Sequence, residues 1–264
     1  MEFIDTHAHL DAFQTAGELE SAIKRAKDAN VTRIITCSAR KCDWQNFSKI
    51  AREHKGCVFW QMGIHPTEIE DGDEEFLESA KDFLKSDMPP VSIGEIGLDF
   101  YKFEGSREEF EKMKSRQERL FKAQLEIAKN AGLPVCVHAR SAVEEAIKII
   151  DESGFDWGKV VFHCFSGTAS QLEMLNSRGG RASFTGIITY KNAEQMRESM
   201  LAQGLSKIMF ETDCPYLAPV PMRGKPNEPS YIPFIARKSA ELFGISVEEI
   251  AEISTKNARE FFGI

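Results

Sequence analysis

The sequence predicts an α/β fold: a closed barrel of the TIM-type (β/α)8 kind, built as one domain over residues 1–264. Three observations point there. Eight short apolar or β-branched runs alternate with longer amphipathic stretches. The runs are nearly continuous in apolar character, as in a parallel sheet covered by helices. The length suits eight such units, since barrels of this type take about 250 residues. An open doubly wound sheet would instead show a glycine-rich phosphate turn after its first strand, and here that strand ends in histidines.

The expected strands are FIDTH (3–7), VTRIITC (31–37), CVFWQMG (57–63), VSIGE (91–95), LPVCVH (133–138), VVFH (160–163), RASFTG (181–186) and KIMFETD (207–213). Helical periodicity fills 18–29, 43–54, 73–85, 107–131, 142–152, 169–178 and 193–202, and returns from 230 to the end. Ser106 with Glu109 and Ser246 with Glu249 fit a capping box, and Thr168 with Gln171 is a weaker version. The proline-rich stretch from Pro215 to Pro233 follows the last strand and reads as a loop over the barrel mouth.

With 42% hydrophobic and 28% charged residues, the composition is that of a folded domain, not a disordered chain. The net charge of −8 argues against a protein that holds nucleic acid on a basic surface. A phosphodiester substrate would therefore need a local anchor, from metal ions or a few placed arginines. Six cysteines form no C-x-x-C pair, and several sit in apolar, strand-like runs where a buried, reduced thiol is expected. No apolar run reaches the ~18 residues of a membrane span, and no secretory leader is recognisable. The expectation is a cytoplasmic monomer without membrane contact.

The histidines carry the chemistry. Of six, His7, His9, His65, His138 and His163 stand at or just past a strand's C-terminal end, while His54 ends a helix and reads as surface. Glu95, Glu211 and Asp213 occupy similar positions. Strand side chains alternate, which puts Phe3, Asp5, His7 and His9 on one face. The same rule groups Val91, Ile93 and Glu95, then Cys136 and His138, then Val161 and His163, then Met209, Glu211 and Asp213. In a barrel these faces point inward, and the C-terminal rim is where such barrels build active sites.

Ionisable groups are costly to bury unless paired or bound to metal, so their convergence on one rim predicts a metal centre. Imidazole and carboxylate donors suit divalent ions such as zinc or manganese. Four histidines and two acids exceed what one tetrahedral ion with an open position uses. They fit two divalent ions (zinc, magnesium or manganese) sharing a bridging carboxylate. The expected metal ligands are His7, His9, Glu95 and Asp213 for one ion, and Glu95, His138 and His163 for the other.

DTHAHL, MGIHP (62–66), IGEIGLDFY (93–101), VHAR (137–140), FHCFSGT (162–168), ETDCPYL (211–217) and RGKPNEPSYIP (223–233) occur in order along nearly the whole chain. Together they resemble the TatD family of metal-dependent hydrolases, within the amidohydrolase-like barrels. The resemblance implies a TIM barrel, the ligand set above and deoxyribonuclease activity, often 3′-to-5′ on single-stranded DNA. It adds His65 and Glu211 as residues near the metals that affect activity. Asp213 is the expected acceptor of the attacking water's proton. Glu211, on the same face, would support it or hold a metal-bound water, and His65 would orient the phosphate, protonate the leaving oxygen or simply order the GIHP turn. Tyr101 could stack a base, and Arg140, Ser166 and Arg223 could meet phosphate oxygens. Asp99 is expected to hydrogen-bond within its loop or to a ligand histidine. The same residues would also serve an amide or ester hydrolase, such as a D-aminoacyl-tRNA deacylase.

Overall fold

A computed structural model describes residues 1–70, 72, 73 and 77–264; positions 74–76 of the expected helix over 73–85 lie outside the described residues. Parallel strands follow one another in chain order: β1 (Phe3–Ala8), β2 (Val31–Cys37), β3 (Val58–Met62), β4 (Ser92–Asp99), β5 (Val135–Arg140), β6 (Val160–Phe162) and β7 (Arg181–Ala182). The expected strand over 181–186 shortens to two residues, because Thr185 caps a 3-10 turn at Gly186–Thr189.

The expected strand over 207–213 does not form a regular ladder. Its segment nevertheless holds the eighth position through isolated bridges, Phe184 to Phe210 on one side and Ala8 to Cys214 on the other. Phe184 N donates to Met209 O, Thr6 N to Phe210 O, and Asp213 N to His7 O. The ladder breaks because Asp213 takes a left-handed backbone, φ 53°, and Thr212 N donates to the Asp5 side chain at 2.9 Å.

The helices are α1 (Leu10–Thr15), α2 (Leu19–Asp28), α3 (Trp44–Glu53), α4 (Leu77–Leu84), α5 (Arg107–Ala131), α6 (Val143–Ser153), α7 (Ala169–Arg178), α8 (Glu194–Gln203), α9 (Ile232–Phe243) and α10 (Val247–Phe262). All three expected capping boxes form, at Ser106, Thr168 and Ser246. Each supplies two partners to amides that the helix itself cannot satisfy. His54 closes α3 half-buried, with Nε2 3.2 Å from Glu20, and is not a free surface residue.

Two apolar layers place the barrel mouth. Ile4, Ile35, Cys136, Val161 and Met209 come from strands on opposite sides and form one buried cluster, so they meet inside the barrel. Ala258 and Phe262 of α10 join that cluster and Phe261 packs against it, closing the end away from the histidines. Burying a phenylalanine side chain contributes about 1.5–3 kcal/mol. Phe3, Ile34, Trp60 and Val135 belong to the outer cluster packed beneath the helices.

The expected face of β1 needs correction here. Phe3 faces the helices and Ile4 the interior, yet His7 reaches the mouth. Register shifts between Phe3 and Ile4 and between Asp5 and Ala8 change the strand's alternation. Gln61 Nε2 donates to Thr6 O and Thr6 Oγ1 to Phe210 O, which satisfies the irregular stretch. Just before β4, Val91 packs on the interior cluster; within it, Ile93 packs on the outer one, and a second irregularity between Ile93 and Ile96 carries Glu95 inward.

Gly97 lies just past that irregularity, opposite His138 of β5. Its φ is 139°, and a Cβ there would sit 2.0 Å from His138 O. Gly97→Ala is expected to destabilise the metal-free protein by about 2–6 kcal/mol, combining backbone strain and overpacking. Urea unfolding with an unchanged midpoint would contradict this.

Candidate metal centre

Glu95 stands at the middle of the mouth. Its Oε1 lies 2.6 Å from His163 Nε2, 2.8 Å from His138 Nδ1 and 3.4 Å from His65 Nε2. Its Oε2 lies 3.4 Å from His7 Nε2. Asp213 Oδ1 is 3.3 Å from His9 Nε2 and 3.8 Å from His7 Nε2. All six expected ligands therefore meet at one end of the barrel. They come from β1, β4, β5, the residue after β6, and the eighth segment.

Burial and neighbouring charges shift the titrating groups of the cluster in opposite directions. Burial pushes the Glu95 carboxyl up, but the charges of His163 and His65 and the hydrogen bond of His138 hold it well below the carboxylate range. Against burial, Glu95 and Glu211 hold the His163 imidazolium well above its usual range. His7 is lowered by burial and by the His163 charge beside it, their rings stacked 4.1 Å apart. Asp213 is lowered, against burial, by the hydrogen bond of His9 and the charge of His7.

The donor set fits divalent cations. His138 Nδ1 and His163 Nε2 approach to 3.2 Å while both face one carboxylate oxygen. His163 Nδ1 is buried without a hydrogen-bond partner. Among the described residues, three clusters bring donor atoms within 4.8 Å of one another: His7, His9, Cys37 and Glu95; His7, His163 and Glu211; and His65, Glu95 and His138.

The neighbouring residues sort by what they touch. His65 does two things at once: Nδ1 accepts from Thr67 N at 3.2 Å, ordering the turn, while Nε2 faces Glu95. Asp99 follows expectation, with Oδ2 3.1 Å from His138 Nε2 and Oδ1 accepting from Tyr101 N. Glu211 lies near the donor cluster, grouped with His7 and His163, but not beside Asp213 on one face. Its oxygens accept from Cys164 N and Ser183 Oγ, both at 2.5 Å, and it lies 3.6 Å from His163 Nδ1. It is 1% exposed and backs His163; it does not flank Asp213 in the cleft. The difference follows from the left-handed turn at Asp213, which ends the alternation that would have aligned the two.

A cleft of 730 Å³ opens over the cluster, and its walls include Tyr101, Arg140, Ser166, Tyr216 and Leu217. The Arg140 guanidinium lies over the Tyr101 ring, 3.8 Å from its centre. Arg223 is not part of this wall: its guanidinium stacks on Tyr190 at 4.0 Å. The loop after Asp213 is tied down by Asn227, whose Nδ2 donates to Thr212 O and Tyr216 O.

Two residues here escaped the sequence reading. Cys37 ends β2 with Sγ 2.9 Å from His7 Nε2. The signal was present, because Cys37 follows interior Ile35 by two residues and closes a strand just as the histidines do. Asp5 anchors the eighth segment by accepting from Thr212 Oγ1 at 2.6 Å, and burial pushes its carboxyl up to about 8. Nothing in the sequence marks that partnership, which spans the whole chain.

A parallel barrel with histidines and carboxylates clustered at its C-terminal rim defines a metal-dependent hydrolase. Comparison with known proteins narrows the class. The model of the TatD related DNase family matches residues 4–263. The chain is 36% identical to the uncharacterized metal-dependent hydrolase YabD of Bacillus subtilis over 98% of each chain. It is 30% identical to the 3′-5′ ssDNA/RNA exonuclease TatD of Erwinia amylovora, over 98% of this chain and 99% of that one. The crystal structure of YjjV, a TatD homolog from Escherichia coli K12, superposes with a TM-score of 0.87 at 27% identity, covering 99% and 98%. The chain belongs to the TatD family of metal-dependent hydrolases.

Proposed function

We propose that this protein is a cytoplasmic phosphodiesterase that removes nucleotides from the 3′ end of single-stranded DNA. The observation that carries the reading is the pairing of the donor cluster with an aromatic rim. Tyr101 is 43% exposed, Phe103 37% and Tyr216 62%, and Tyr101 and Tyr216 border the cleft above the cluster. Exposed rings of this kind suit unpaired bases, which stack on aromatic faces whatever their sequence. The relationship to an exonuclease from Erwinia amylovora supports the same substrate class. All six cysteines are free thiols, in keeping with a reducing compartment.

His7, His9, Glu95 and Asp213 would hold one divalent ion, and Glu95, His138 and His163 the other. Bound there, the ions would supply an acidified water and neutralise charge on the phosphate. Asp213, which lines the cleft, accepts the attacking water's proton. His65, held by Thr67, presents Nε2 to the same space and gives a proton to the departing sugar oxygen. Arg140, set against Tyr101, meets a phosphate oxygen while the ring stacks a base, and Ser166 borders the same wall. Glu211 positions His163. Arg223, held on Tyr190 outside the cleft wall, is not needed for this arrangement.

Single strands labelled at the 3′ or the 5′ end test the reading. Mononucleotide release from the 3′ end is expected with magnesium, manganese or zinc and is abolished by thorough chelation. Activity that survives chelation would contradict the metal reading. Inactivity on DNA together with cleavage of D-aminoacyl-tRNA would establish the ester-hydrolase alternative in its place.

A further inference from the structure

Cys37 lies among the donors of one half of the centre. Its Sγ is 2.9 Å from His7 Nε2, and 3.5 and 3.7 Å from the two ring nitrogens of His9. Its donor atom and those of His7, His9 and Glu95 fall within 4.8 Å of one another. The strand end around it is fixed. Thr36 Oγ1 donates to Ala8 O and accepts from Leu10 N, while Ser38 Oγ donates to Gln61 O and accepts from Gly63 N. The thiol is fully buried and sits on the Nε2 side of His7. Cys136 touches the other nitrogen of that ring, at 3.6 Å, and the cluster of His65, Glu95 and His138 contains no thiol.

The two halves of the centre therefore offer different chemistry. We propose that Cys37 is a direct metal donor, so that His7, His9, Cys37 and Glu95 form a thiolate-bearing, zinc-selective position beside a thiol-free one. This rests on the metal-centre reading above. Thiolate favours zinc and other thiophilic ions over magnesium and manganese, and a bound cation deprotonates a coordinating thiol outright. In that position Cys37 would add a thiolate to His7, His9, Glu95 and Asp213, whose carboxylate faces His9 and His7.

Cobalt(II) titration of the metal-free protein tests the assignment without reference to turnover. The expected result is visible cobalt bands together with a thiolate-to-cobalt charge-transfer band in the near ultraviolet. Cys37→Ser should lose the charge-transfer band and keep bound cobalt, whereas Cys136→Ser should keep both. Competition should also show zinc affinity at this position falling more than about 100-fold in Cys37→Ser, beyond what loss of a supporting residue costs a metal site, with manganese affinity little changed. Cobalt bound in the wild type without a charge-transfer band would overturn the Cys37 assignment and leave the metal centre standing. So would a band that disappears with Cys136 instead. If Cys37→Ser does not fold, the wild-type spectrum and the Cys136→Ser spectrum still decide the matter. No cobalt binding at all would overturn the metal centre and this inference together.

Discussion

Glu95→Ala is expected to lower hydrolysis by at least about a thousandfold, equivalent to about 4 kcal/mol of barrier, and to empty both metal positions. Four histidines reach Glu95: His163, His138 and His65 through Oε1 and His7 through Oε2. Its two oxygens face different sets of imidazoles, so removing them strips a donor from each position. The carboxylate also sets the local field that holds the His163 imidazolium well above its usual range. His138→Ala makes the natural contrast. His138 belongs with Glu95 and His65 and is not part of the His7, His9 and Cys37 group. It should chiefly lose one ion and retain the other. Titration calorimetry of both variants with zinc separates the outcomes, and equal stoichiometry in the two would count against a bridging Glu95.

Asp213→Asn is expected to reduce kcat by about 10²–10⁴-fold, the usual worth of a positioned proton acceptor. Metal content should fall far less than in Glu95→Ala. The substitution is well suited to the site because Asp213 sits at φ 53°, where asparagine is as comfortable as aspartate. The amide keeps the backbone donation from Asp213 N to His7 O and the acceptance by Asp213 O from Tyr216 N. The proton acceptor and its charge are lost, while a neutral oxygen donor remains beside His9. Steady-state kinetics alongside metal analysis reads the effect. Loss of metal in proportion to loss of rate would make Asp213 an essential ligand and deny it a separate proton-accepting role.

The sequence made the clustered histidines and carboxylates legible because they obey a local rule. Each stands at a strand end, and strand ends of a parallel barrel share one rim. Side-chain alternation also works for Cys136 with His138 and for Val161 with His163, whose strands pair without irregularity at those positions. It fails for Phe3 with His7 and for Ile93 with Glu95, where register shifts change which face a residue presents. A shift of this kind is set by the neighbouring strand and by distant partners such as Gln61 and Phe210, so no local pattern reveals it. The eighth segment is the sharpest instance. KIMFETD has the composition of a strand, yet Thr212 is drawn to Asp5 and Asp213 turns left-handed. That turn separates Glu211, buried behind His163, from Asp213, open to the cleft. Arg223 likewise belongs to a promising motif, but its place on Tyr190 is a packing outcome that the motif does not encode.

Elemental analysis of the purified protein, equilibrated with zinc and desalted, tests the paired centre most directly. The geometry around Glu95 predicts two ions per chain in the wild type and none retained in Glu95→Ala. One ion per chain in the wild type, unchanged by Glu95→Ala, would contradict it.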